Sequence, residues 1–238
     1  MLSKGSVLRR LVRVSAAAAG VLGAGLLVAG CGSPVKFGSA AIVGSQRITI
    51  ATLNTDVTNL SQTVKKYPGV ISLSQTQLTQ ETLGWLVKFQ VTEQLAQQSG
   101  ITVSTAQSQQ ALDEIYSTAK SEAQQAGVQN VTLPLILAAN GIPPNKSAEL
   151  GRYQAIETQF AEQANGGTLP STTAQQTAAT NKLNKAQCQA AKSLKIEINP
   201  QYGRLDYSSF QIVTAPFAGF RTSGPAKASS SAGATPAC

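Results

Sequence analysis

Residues 74–100 read SQTQLTQETLGWLVKFQVTEQLAQQSG. Ser74 and Gln77 form a capping box, in which the hydroxyl and the side-chain amide satisfy backbone N–H groups left orphaned at a helix start. Gly100 suits the left-handed position that stops a helix. The spacing therefore predicts one long helix from Ser74 to Ser99. Its apolar residues, Leu78, Trp85, Leu86, Phe89 and the row Val87, Val91 and Leu95, spread over more than one face. A helix of this length with several apolar faces needs other helices around it.

The flanking sequence supplies them. Leu53, Val57, Leu60 and Val64 fall at helical spacing, so Thr52 to Lys66 reads as a helix ended by Pro68-Gly69. Downstream, Ser104 with Gln107 repeats the capping box and opens a helix stopped at Gly127. A shorter apolar helix runs from about Thr132 to Asn140, closed by Gly141, before Pro143-Pro144 breaks the chain. Ser147 to Asn165 is a further helix, ended by Gly166-Gly167, and Thr172 with Gln175 opens the last, which runs to Ser193. Short extended pieces flank the helices. Ala40 to Ile50 places β-branched residues on both sides of Gly44-Ser45, a strand, a turn and a second strand. Lys195 to Asn199 alternates and reads as a strand. The expected fold is mainly α, with a short β pair between strands near Ile42 and Ile196 joining the N- and C-terminal ends of the domain. From Thr214 the composition shifts to Ala, Ser, Gly and Pro.

Composition removes most catalytic chemistries. The 238 residues are 42% hydrophobic, so a core can form, but histidine is absent. A Ser-His-Asp triad, a Cys-His dyad and a His-ligated metal are excluded. Three cysteines without a C-x-x-C spacing exclude a Cys-only zinc site. No phosphate-binding glycine loop is present, and no carboxylate pair reads as an acid–base couple. Asp113 and Glu114 are adjacent on a helix and point apart, while Glu149 and Arg152 read as a solvated surface pair. The chain is expected to be no enzyme and to need no cofactor or metal.

The N-terminus carries Lys4, Arg9, Arg10 and Arg13, followed by an uncharged apolar run from Val14 to Gly30. This is a secretory signal. The run ends in Leu27, Val28, Ala29 and Gly30 before Cys31, and this resembles the bacterial lipobox. The resemblance implies that residues 1–30 are removed, that Cys31 takes a diacylglycerol and that the new amine is often acylated. Two or three acyl chains anchor a protein stably, at about 0.8 kcal/mol per buried CH₂. The expected location is the cell membrane, lipid-anchored on its extracytoplasmic face, with residues 31–39 as the tether. Loss of the signal takes four basic residues from the net charge of +8, leaving a mild +4 that is no nucleic-acid footprint. The cysteines left, Cys188 and Cys238, imply one disulfide in an oxidising compartment. It would close a loop of about 50 residues, contribute roughly 4 kcal/mol in the chain-entropy account and tie the low-complexity tail, 214–238, to the body. Two free thiols, or an intermolecular link through Cys238, are the alternatives.

Three stretches resemble the SurA N-terminal domain family. Ala40–Leu53 matches its strand, turn and “I-T” entry to the first helix, with Gly44-Ser45 where Asn-Gly is common. Leu83 to Ser104 resembles its long helix and exit, through Leu86-Val87, Val91, Leu95-Ala96 and Gly100-Ile101-x-Val103-Ser104. Asn199-Pro200-Gln201-Tyr202-Gly203-Arg204-Leu205-Asp206 is similar to the Asn-Pro-x-Tyr/Phe-Gly-x-Trp-Asp signature, with Leu205 at the Trp position. The resemblance implies a helical, peptide-binding chaperone domain over 40–213, acting on unfolded or secreted polypeptides. SurA and PrsA foldases also carry parvulin modules with active-site histidines; this chain has no histidine, so isomerase activity is not expected. Trp85, Leu86 and Phe89 are the candidate client-binding residues, on the face of the long helix left over once the core is made. Tyr202 and Arg204 read as a structural corner, with a contact patch as the alternative, and Phe210, Phe217 and Phe220 as aromatic residues that dock the C-terminal segment on the body or else mimic a client segment in the groove. The alternative function is a structural or adaptor lipoprotein that binds one folded envelope partner.

Overall fold

The computed structural model describes residues 37–69 and 71–214. The chain divides into units 1–33 and 34–238, and every described residue belongs to the second. Strand β1 (Ser39–Val43) and strand β2 (Gln46–Thr49) form an antiparallel hairpin, with Val43 opposite Gln46 across the Gly44-Ser45 turn. β1 begins one residue before the expected boundary at Ala40.

Thr49 then caps helix α1 (Ile50–Lys66), its hydroxyl accepting from the Thr52 N–H at 3.0 Å. That cap moves the helix start two residues ahead of the expected Thr52. Helix α2 (Gln75–Gln98) carries the complete Ser74/Gln77 capping box. Helix α3 (Thr105–Gln125) carries the same device at Ser104/Gln107. A short α4 (Leu133–Ala139) is capped by Thr132, and a single 3₁₀ turn (Pro144–Lys146) leads into α5 (Ser147–Ala164). The third capping box, Thr172/Gln175, opens α6 (Thr173–Ser193). The mainly α fold read from the sequence is the fold observed.

Strand β3 (Glu197–Ile198) pairs antiparallel with β1, Ile42 opposite Glu197 and Ala41 opposite Ile198. Asn199 extends the junction, its N–H donating to the Ala40 carbonyl at 2.9 Å and its side-chain amide to the Ser39 carbonyl at 3.0 Å. The two ends of the domain are joined as expected. The strand is shorter than Lys195–Asn199 because Lys195, at φ 48°, occupies the left-handed region just after α6. A residue there cannot continue a pleat.

Helix α2 packs against α1, α5, α6 and β1. Its buried residues, including Leu78, Leu83, Leu86, Val87, Phe89, Val91 and Leu95, lie all round it, which is why no single apolar stripe could be read. Helix α3 packs against α5 at Gly151, where a Cβ would run into the Ser108 carbonyl. Arg152, the next residue, corrects the expected surface pair with Glu149. Its guanidinium forks onto Glu93 of α2, with Nη2 donating to Oε2 at 2.9 Å and Nε to Oε1, while Nη1 donates to the Val103 carbonyl at 3.0 Å. The planar fork matches a carboxylate two bonds at a time, and it keeps the Arg152 pKa above its ordinary value. Glu149 pairs with Lys146 at 3.1 Å. Lys146 also lies 3.8 Å from buried Asp56, whose other oxygen accepts from the Asn145 amide at 2.7 Å, tying α1 to the 3₁₀ turn.

The expected corner at Asn199–Pro200 is present, with the Tyr202 N–H donating to the Asn199 carbonyl at 2.9 Å. Beyond it lies an element that the sequence reading lacks. Strand β4 (Arg204–Asp206) and strand β5 (Gln211–Val213) make a second antiparallel hairpin, Leu205 opposite Ile212. Three-residue strands are too short to display an alternating pattern.

Candidate functional site

The β4–β5 hairpin lies on α2. Gly84, in the middle of that helix, makes this approach possible: a Cβ there would sit 3.2 Å from the Phe210 carbonyl oxygen. The Phe210 ring is buried in the main core cluster together with Leu205 and Ile212, although its backbone has φ 54°. Asp206 holds the loop together. Its carboxylate accepts from the Ser208 N–H at 2.9 Å, the Ser208 hydroxyl at 2.7 Å and the Ser209 hydroxyl at 3.1 Å. The Ser208 bonds, first through its hydroxyl, keep the Asp206 pKa below the ordinary carboxylate value.

A cavity opens on each side of this loop. The first, about 420 Å³, lies between α2 and β5 and is walled by Gln77, Gln80, Glu81, Trp85, Lys88, Asn140 and residues 209–214. The second, about 340 Å³, reaches α5 and α6 and is walled by Lys88, Tyr153, Glu157, Asn184, Gln187, Tyr207 and residues 208–210. Lys88, Ser209 and Phe210 line both.

A polar cluster stands where the cavities meet. The Lys88 ammonium is 4.3 Å from the centre of the Trp85 ring. Burial lowers the Lys88 pKa, opposed by the charges of Glu157 and Glu81. Burial raises the Glu157 pKa, opposed by hydrogen bonds from Tyr153 and Gln187 and by the charge of Lys88. The Gln187 amide donates to Glu157 Oε1 at 2.7 Å. Burial, first, and the neighbouring Glu157 push the Tyr153 phenol above its ordinary value. Behind the cluster, Trp85, Phe89 and Tyr153 form an aromatic triad with ring centres 5.6–6.0 Å apart. The Trp85 indole N–H donates to the Asn140 carbonyl at 2.9 Å and fixes the ring in the wall. The arrangement offers amides, hydroxyls, the ammoniums of Lys88 and Lys185, the carboxyls of Glu81 and Glu157 and aromatic edges, which are recognition groups. Among the described residues, no group of three or more His, Cys, Asp or Glu side chains could hold a metal ion.

Of the three client-binding candidates, only Trp85 lines the cleft. Leu86 is 8% exposed and belongs to the main core, and Phe89 is 7% exposed and packs in a cluster with Leu112, Leu137, Ile142 and Leu150. Both are corrected to core residues: elements packed around α2 cover the face they were assigned to. Sequence reasoning missed Lys88, Tyr153, Glu157 and Gln187. The available signals were Gly84 and Lys88 inside an apolar helix, and Tyr153 four residues before Glu157 on one helical face. Phe210 docks the segment that carries it, as read. Cys188 is buried, lines the second cavity and is disulfide-bonded. Val28, Ala29, Gly30, Cys31, Phe217, Phe220, Cys238 and all but the first residue of the tail lie outside the described residues. None of the described helices is long and apolar enough to cross a membrane. No family model, no curated protein and no solved structure matches this chain.

Proposed function

We propose that the chain is a non-enzymatic, lipid-anchored extracytoplasmic protein that binds an extended segment of unfolded or secreted polypeptide in the cleft on α2. The observation that carries this reading is the pair of cavities flanking residues 207–210, walled by Gln77, Gln80, Asn140, Asn184 and Gln187. Side-chain amides both donate and accept, as peptide groups do. Gln77 Oε1 is used in the α2 cap, and the Gln80, Asn140 and Gln187 amide nitrogens already donate within the chain, so a bound backbone would meet the other function of each amide, while Trp85, Tyr153 and Tyr207 give apolar surface beside it. Such binding needs no reactive group, in keeping with a chain that has no histidine. The SurA-like segments and the lipobox support a role in secreted-protein folding at the membrane surface.

One observation bears on breadth of binding. The large exposed apolar side chains among the described residues, Phe37, Val128 and Leu169, lie on separate segments. Among the described residues these exposed side chains form no shared apolar surface, so holding falls to the cleft. The test dilutes several chemically unfolded proteins into rising amounts of this chain and follows light scattering. Suppression with unrelated clients supports the reading. Failure to suppress by a folded sample, with saturable binding to one native envelope protein, favours the adaptor alternative.

A further inference from the structure

We infer that the β4–β5 hairpin is a displaceable occupant of the cleft, with Phe210 in the seat that a large apolar side chain of a bound segment takes. The inference rests on the polypeptide-binding reading above and adds a resident competitor to it.

Four observations converge on Phe210. Its φ of 54° lies in the left-handed region, which bulky L-residues avoid, and the burial of its ring offsets that strain. Its backbone rests on a seat: Gly84 stands in the middle of a 24-residue helix, where glycine weakens the helix, and leaves room for the Phe210 carbonyl. The hairpin is held to the body mainly by its apolar side chains. Two strands of three residues have little stability alone. The Asp206 hydrogen bonds to Ser208 and Ser209 all stay within the hairpin. Toward the body it offers buried Leu205, Phe210 and Ile212, with long bonds from the Gln80 amide to the Tyr202 carbonyl at 3.5 Å and the Thr214 hydroxyl at 3.3 Å. Finally, the loop separates two cavities that share Lys88 as a wall. Its withdrawal joins them into one cleft along α2, floored by Gly84 and bordered by Trp85 and Lys88. An incoming segment lays its backbone where β5 lies and its side chain where the Phe210 ring lies.

The test uses the chain's own segment in trans. A fluorescent peptide RLDYSSFQIVT, the sequence of residues 204–214, is titrated against the full chain and its Phe210→Ala variant. A resident present about 90% of the time masks its site about tenfold, so the variant is expected to bind the peptide at least that much more tightly than the unmodified chain. The same peptide with alanine at the phenylalanine position is expected to lose binding. Trp85, the single tryptophan, reports occupation of the cleft by its emission. Equal affinity for both proteins overturns the displaceable hairpin and leaves the polypeptide-binding reading standing. Binding by neither, with unfolded proteins also refused, overturns both. If Phe210→Ala does not fold, hydrogen exchange on the unmodified chain decides. Amides 211–213 are expected to exchange by local opening, ahead of amides 83–91 of α2. Exchange of both groups in one global step overturns the inference.

Discussion

Glu157 sits among Tyr153, Gln187 and Lys88, and burial makes its carboxyl easier to protonate than one in water. Between the ordinary value of 4.5 and its raised native value, the folded chain holds more protons than the unfolded one. Stability associated with this group is therefore complete below about pH 4.5 and lost as pH rises through the native pKa. Glu157→Gln removes that loss. Denaturant titrations from pH 4 upward should show the unmodified chain losing stability relative to the variant. Parallel curves contradict the assignment. A different consequence belongs to Phe89, which packs with Leu112, Leu137 and Leu150 rather than facing a client. Phe89→Ala is expected to destabilise by about 3–5 kcal/mol, read from the shift in denaturant midpoint. Little change in stability with lost client binding would restore the surface role. The sequence held Trp85, Leu86 and Phe89 as one group because helical spacing does not say which neighbours cover which face. Only the packing of other elements around α2 separates them.

At the scale of elements, the helices were legible because their starts are written locally. The hydroxyl and the glutamine of each capping box are three residues apart, so Ser74/Gln77, Ser104/Gln107 and Thr172/Gln175 could be read without any tertiary knowledge. Ser104→Ala removes one such cap and is expected to cost about 1 kcal/mol, measured by thermal unfolding. The α3–α5 contact is a stricter matter. Gly151 meets the Ser108 backbone, which cannot move aside as a side-chain tip can. Gly151→Ala is expected to destabilise by about 1–3 kcal/mol, even though alanine is the better helix former. A stabilised variant would show that the helices separate freely. The β4–β5 hairpin escaped the sequence reading for the complementary reason. Its position is set by Gly84, more than a hundred residues upstream, and no local pattern in Arg204–Val213 announces it. The pairing of Ile42 with Glu197 is equally distant, but β-branched residues on both segments made it readable.

For the whole molecule, composition had already removed histidine chemistry, and helical periodicity had set the fold class. The cleft was not legible, since its walls come from α2, α5, α6 and the second hairpin and meet only in the folded chain. The lipobox and the cleft make complementary demands. Under the proposed function, an anchor at Cys31 would hold the protein at the membrane surface, and the amide-lined groove would accept emerging polypeptide there. The central claim is that this groove is where polypeptide binds. Amide chemical-shift mapping tests it most directly, with an unfolded, non-aggregating polypeptide as the probe. Saturable shifts are expected at residues 77–88, 153–157, 184–187 and 207–214, with the rest of the spectrum largely unmoved. Shifts confined to surfaces around Val128 or Leu169, with the cleft amides silent, would contradict it.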